Sequence, residues 1–151
     1  MYAALGGALL AGAGPALWAL NARPEEEAGA PRIDYGHDRC AQCGMVIGDS
    51  RFASAVRDGG AAFLYDDIGC MLEHRGSRLA SGAARGFVHD TTTLAWLAAA
   101  DAWFVRSPAI RTPMNHQIAA FADPTAARRD IPTATPLAWE TTLRGGAGGG
   151  S

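Results

Sequence analysis

The chain has 151 residues, 48% of them hydrophobic and 19% charged, which describes one compact domain and excludes a disordered chain or a multidomain array. Thirteen basic against 15 acidic residues give a net charge of -2 with no basic tract, so nucleic acid is excluded as the default partner, because phosphate binding needs a concentrated positive field. Three cysteines are the odd number: one disulfide would leave a thiol over, so either one is inert in the core or the set does more than form disulfides.

Residues 2–20 carry no charge and are nearly all apolar or small, and Arg23 and Glu25-Glu26-Glu27 follow at once. Such a run reads as an export signal or a membrane anchor. Its length sits at the lower edge for spanning a bilayer, while four Gly, Pro15 and many Ala make it weakly hydrophobic, and Leu20-x-Ala22 is an imperfect cleavage site. Residues 1–30 are therefore assigned to a signal or anchor with its linker, 31–143 to the folded domain, and 144–151, RGGAGGGS, to a flexible tail.

Within the domain, Arg51 to Arg57 and Ala61 to Tyr65 flank Asp58-Gly59-Gly60 and predict a hairpin. Asp66-Asp67 then caps a short helix through Ile68 to His74, ended by Gly76. Phe87 to His89 reads as a strand. Thr91 to Ala102 has Leu94, Leu97 and Ala98 at helical spacing, with threonines that leave strand character open. Trp103 to Val105 is a strand, and Pro108, Pro113 and Asn115 mark a loop. Gln117 to Phe121 predicts a short strand, Pro124 to Arg129 a helical turn and Leu137 to Trp139 a last strand. The sum is a small α+β domain with an antiparallel sheet.

The chemistry gathers at Cys40-Ala-Gln-Cys43-Gly-Met45, where CxxC spacing brings two thiols close enough to share a metal or to form a disulfide. A redox dithiol should open a helix, and Gly44 to Gly48 does not look like one. Cys70 with His37 or His74 would complete a Cys3His zinc tetrahedron, the site of a structural module that binds a partner protein. Methionine tips the balance. Met45 lies two residues beyond Cys43, Met71 beside Cys70, and Met114 in a Pro-flanked loop ahead of His116. Thiolate with thioether favours Cu(I) over zinc. Cys70 and Met71, after an apolar strand, read as packing residues, and Asp66 and Asp67 as hard oxygen groups that cap the helix or accept hydrogen bonds near the ligands. His116 is available as a nitrogen ligand or as a neighbour of the ligands. There is no GxSxG or HExxH, and a cysteine-dependent lyase built from Cys40, Cys43, Cys70 and Asp66 would rest on fold analogy alone, so the chain is not read as an enzyme.

Cys40-x-x-Cys43-Gly44-Met45-x-Ile47, then Phe63-Leu-Tyr-Asp-Asp-Ile-Gly-Cys-Met71, then Thr112-Pro113-Met114 with Ala119-Ala120-Phe121, resembles the NosL family over approximately residues 36–123. These are copper-binding accessory proteins of nitrous oxide reductase biogenesis. The resemblance implies a periplasmic protein, commonly a lipoprotein, that holds Cu(I) and passes it to a copper enzyme client through an associated ABC-type transporter complex. It also implies a pair of small ββαβ-type units, related in fold to organomercurial lyases. Carried onto this chain, it makes Cys43 and Met114 the first copper ligands, followed by Met45 and Cys40. Two departures matter. The family's Pro-Met-Gly is here Pro113-Met114-Asn115 followed by His116, which adds a possible nitrogen ligand, and no lipid-bearing cysteine is present, which leaves residues 2–20 as the membrane tether.

Overall fold

The computed structural model describes residues 29–145, which form an α+β domain with two antiparallel sheets and three helices. The first sheet starts from the hairpin of β1 (Ser54–Asp58) and β2 (Ala61–Tyr65), paired from Ser54 opposite Tyr65 to Asp58 opposite Ala61. Gly59 turns the chain at a φ of 61°, a region that a Cβ penalises. Helix α1 (Ile68–Ala80) follows, capped by Asp67, whose carboxylate accepts the Gly69 amide at 2.8 Å. It buries Ile68, Cys70, Met71, Leu72 and Leu79 and delivers the chain to β3 (Ala84–His89), which pairs with the other side of β1. The short β4 (Trp96–Ala98) extends the sheet to the order β2-β1-β3-β4.

The second sheet repeats the plan. Strands β5 (Trp103–Arg106) and β6 (Ile118–Phe121) pair antiparallel, helix α2 (Pro124–Asp130) follows, and β7 (Leu137–Ala138) returns to the free side of β5. In each ββαβ unit the first strand is therefore the central one. Helix α3 (Trp139–Gly145) closes the domain, with Trp139 tilted against Phe104 at 5.4 Å between ring centroids. The main core runs from α1 through Val56, Val88, Phe104 and Ile118 to Trp139. Asp90 joins the two sheets. It is buried, its Oδ2 accepts the Ala122 amide at 2.6 Å, its Oδ1 accepts the Thr92 and Thr93 amides, and the Thr91 amide donates to Ala120 across the junction.

The α+β class is as expected from the sequence, and the ββαβ units are as the family resemblance implies. Local differences have local causes. Helix α1 passes Gly76 and runs to Ala80: glycine costs about 1 kcal/mol there, which the next turn offsets by burying Leu79 and by pairing Arg78 with Asp58. The 91–102 stretch starts no helix, because Asp90 draws the Thr92 and Thr93 amides into a turn and Leu94 takes a φ of 62°; β4 and a 3-10 turn at Ala99–Asp101 follow. Trp139 opens α3 instead of ending a strand, and α3 takes in Arg144 and Gly145.

The membrane expectation is corrected for the described residues. Among the described residues no helix is long and apolar enough to cross a membrane. The longest, α1, has 13 residues, a length of about 20 Å against the roughly 30 Å of a bilayer's hydrocarbon core. The run at residues 2–20, to which an export signal or anchor was assigned, and tail residues 146–151 lie outside the described residues.

Candidate metal centre

The CxxC segment folds as a tight loop closed on itself. Arg39 bridges Val46, the Cys40 amide donates to the Met45 carbonyl at 2.8 Å, and the Gly44 amide donates back to the Cys40 carbonyl at 3.0 Å. Gly44 takes a φ of 77°, the left-handed conformation that turns the chain after Cys43. The loop docks on the outer edge of β2, where the Ala41 amide donates to the Leu64 carbonyl at 2.8 Å. This seats Cys40 in the core and leaves Cys43 half-buried above it.

Opposite the loop, the end of β2 and the start of α1 supply two further groups. Asp66 follows Tyr65, and Cys70 stands four residues later in the first turn of α1, each about 1% exposed. Donor atoms of Cys40, Cys43, Asp66 and Cys70 all lie within 4.8 Å of one another, and all three cysteines are free. The Cys43 thiol donates to Asp66 at 3.4 Å to Oδ1. Four donors gathered at that spacing can close on a single ion.

The thiols are electrostatically unequal. The Cys70 thiol donates to Cys40, which, with the Cys43 amide, holds Cys40 below the ordinary thiol range against the cost of burial. The same contact, together with burial, pushes Cys70 up. Burial raises Cys43 to about 11, opposed by the Met45 amide that donates to its sulfur. Asp66 is pushed up to about 6, first by burial and then by Cys40. Mutual repulsion in a desolvated pocket favours ionising Cys40 at the expense of its neighbours. A cation held by all three sulfurs would have to displace protons from Cys43 and Cys70.

Two methionines are exposed on loops, Met45 on the CxxC loop and Met114 on the Pro-Met loop. Met45 is 57% and Met114 39% exposed, with exposed Val46 beside Met45, whereas Met71 is buried in the core. The Met114 amide donates to Asp67 Oδ2 at 3.1 Å, which ties the Pro-Met loop to the cap of α1. His116 lies on the first turn of the same helix. Its Nε2 is 3.0 Å from Glu73 Oε1, and its Nδ1 is 3.2 Å from Asp67 Oδ1 but off the line of a hydrogen bond.

A family model of NosL matches residues 34–131, about two thirds of the chain. The chain belongs to the NosL family. Among solved structures, the crystal structure of the copper chaperone NosL from Shewanella denitrificans aligns with a TM-score of 0.63 at 18% identity, over 75% of this chain and 94% of that one. At that identity the likeness establishes a shared fold. No curated protein sequence matches the chain.

Within this NosL fold, the structure brings Cys40 and Cys43 together with Asp66 and Cys70, neither of which the sequence reading named as a ligand of a Cu(I) site. Cys70 reads from the sequence as packing, whereas of Asp66 and Asp67 one is expected to cap the helix and the other to accept hydrogen bonds near the ligands: the cap is Asp67, and Asp66 accepts from the Cys43 thiol. The available signal was spacing: across a strand end and helix start, positions 66 and 70 are one turn apart and fall on one side. Neither histidine of the Cys3His scheme joins the group. His37 is exposed beside Asp34, and His74 Nδ1 is 3.1 Å from the Tyr65 hydroxyl with its ring edge-on to Phe63.

Proposed function

We propose that this NosL protein is a carrier of Cu(I) for a copper enzyme outside the cytoplasm. The observation that carries the reading is the cluster of Cys40, Cys43, Cys70 and Asp66 with donor atoms within 4.8 Å of one another, with Met45 and Met114 exposed on the CxxC loop and on the loop tied to the cap of α1. Three sulfurs in a mostly apolar setting suit a soft monovalent cation, whereas the carboxylate suits it poorly and serves better as the acceptor of the Cys43 proton. Cys43, half-buried, is the shared member: buried thiols hold the ion from below, and Met45 and Met114 offer exchangeable ligands on the solvent side. Such a site can bind firmly and still release by ligand exchange. A carrier, not an enzyme, is also what the family match supports.

The finer reading names nitrous oxide reductase as the client, an ABC-type transporter complex as the associated partner and the periplasm as the compartment. Its support is membership of NosL and the fold shared with a protein described as a copper chaperone. Anaerobic Cu(I) titration against a chromophoric chelator, with X-ray absorption at the copper edge, tests the carrier reading. The expected result is one ion with sulfur neighbours only, and a loss of affinity of about a hundredfold or more in Cys43→Ala.

A structural zinc site is the second reading, favoured by one observation: three thiols and a carboxylate make up the four ligands of a tetrahedral zinc ion. Stoichiometric zinc that Cu(I) does not displace, with no effect of Met114→Ala or Met45→Ala, would select it.

A further inference from the structure

His116 occupies a space that only glycine leaves open. A Cβ built on Gly69 would lie 2.0 Å from His116 Cγ and 2.4 Å from its Cβ and Cδ2, so the imidazole rests directly on the backbone of the first turn of α1. From there its ring lies between two carboxylates. Nε2 meets Glu73 Oε1 at 3.0 Å, and the other oxygen of Glu73 accepts from Gln42 Nε2 of the CxxC loop at 3.3 Å. Nδ1 stands 3.2 Å from Asp67 Oδ1, and the other oxygen of Asp67 takes the Met114 amide. Polar contacts therefore lead from the CxxC loop through Glu73 to His116 and from Asp67 to the backbone of Met114, with His116 Nδ1 close to Asp67 but not hydrogen-bonded to it.

The loop needs such a restraint. Asn115 and Gln117, on either side of His116, take φ values of 59° and 63°, conformations that cost a non-glycine residue of order 1 kcal/mol or more and persist only where surrounding contacts over-determine them. Restraints include the Asn115 amide on the Thr112 carbonyl and the Ser107 amide on the Gln117 carbonyl, each at 3.0 Å, the Met114 amide on Asp67, the His116 carbonyl accepting from Arg106 at 3.2 Å, the Gln117 amide on Thr112 Oγ1 at 3.2 Å and the imidazole on Gly69.

We propose that His116 is a positioning residue for the carrier site: seated on Gly69 between Asp67 and Glu73, it holds the Met114 loop against the helix turn that carries Cys70, and it is not itself a copper ligand. The inference rests on the Cu(I) reading and assigns a separate role within it. Nε2 meets Glu73, and Nδ1, which makes no hydrogen bond, is buried 3.2 Å from Asp67 Oδ1, so ligation through either nitrogen would require the ring to abandon its seat on Gly69. In place, it restricts the exposed thioether of Met114 to few orientations, which lowers the entropy lost when that sulfur closes on the ion.

The test is a double-mutant cycle on the full chain, read by anaerobic Cu(I) competition with a chromophoric chelator. Met114→Ala and His116→Ala are each expected to weaken Cu(I) binding about tenfold, and the double variant to be no weaker than Met114→Ala alone, because both remove the same interaction. His116→Gln, which keeps a donor for Glu73 but has no imidazole, is expected to retain affinity within about threefold of the wild type. Gly69→Ala, which evicts the ring, should behave as His116→Ala does, and it supplies the cycle if that variant fails to fold. Copper-edge spectra of the wild type should contain no nitrogen neighbour. A nitrogen neighbour lost in His116→Gln, additive losses in the cycle, or a His116→Ala that binds like the wild type would overturn the inference while leaving the carrier reading intact. A wild type that takes up no Cu(I) would overturn both.

Discussion

Cys70 meets two demands with one side chain. It is among the buried residues of the main core and also one of the four clustered donors. Packing alone would be satisfied by any small apolar group. Cys70→Val, which nearly conserves volume, is expected to cost less than about 1.5 kcal/mol in urea unfolding yet to weaken Cu(I) at least tenfold in chelator competition. Unchanged copper affinity in that variant would return Cys70 to a purely structural role. Asp66 makes a prediction of a different kind. Because burial raises its carboxyl to about 6, the folded state binds its proton more tightly than the unfolded chain does, so its charge becomes a penalty as pH rises from about 4 to about 6. Asp66→Asn cannot ionise and supplies the reference. The apo wild type should lose stability relative to Asp66→Asn across that window, by on the order of 2 kcal/mol, with the difference flat above it. Parallel denaturation midpoints from pH 4 to 8 measure this, and a difference growing in the opposite direction would contradict the buried carboxyl.

Helix α1 organises the site because its N-terminus is where strand, cap and metal donors meet. Asp67 accepts the Gly69 amide and the Met114 amide with its two oxygens, so one carboxylate both starts the helix and fixes the neighbouring loop. Asp67→Ala removes both bonds and is expected to destabilise the domain by about 2–3 kcal/mol, with Asp67→Asn, which can still cap, losing less than half of that. Chemical denaturation of the two variants compares them directly. The start of α1 was legible because Asp66-Asp67 before an apolar run is a local capping signal. Its end was not, since what carries it past Gly76 is the burial of Leu79 and the pairing of Arg78 with Asp58 on a different strand. The donor set divides along the same line. Cys40 and Cys43 announce themselves by spacing within one loop, whereas Cys70 and Asp66 join them only because β2 ends where α1 begins. An apolar neighbourhood in sequence reads as core, and for Cys70 that reading is true without being complete.

At the scale of the molecule, two ββαβ units with the same strand plan meet through few polar groups, and Asp90 is the most heavily used of them. It binds amides of its own turn and the Ala122 amide of the second unit, while its backbone bridges Ala120. Asp90→Ala would deprive those part-buried amides of their acceptor, at a cost of about 1–2 kcal/mol, and should loosen the union of the sheets more than either sheet alone. Hydrogen exchange should therefore report faster opening at Thr91 to Leu94 and Ala122, with β1 and β3 protected nearly as before. Loss of protection uniform across both sheets would mean that the units open together.

The docking of the CxxC loop has a consequence for solubility. Strand β2 is the outermost strand of its sheet, and the bond from Ala41 to the Leu64 carbonyl places the metal loop along its open side. A bare strand border invites pairing with another chain, so the segment that gathers two of the thiols is at the same time the guard of an adhesive edge. Selection on that loop is then double: a change that slackens it to release the ion more readily also unmasks backbone able to zip molecules together, and the most mobile carrier would be the one most prone to aggregate.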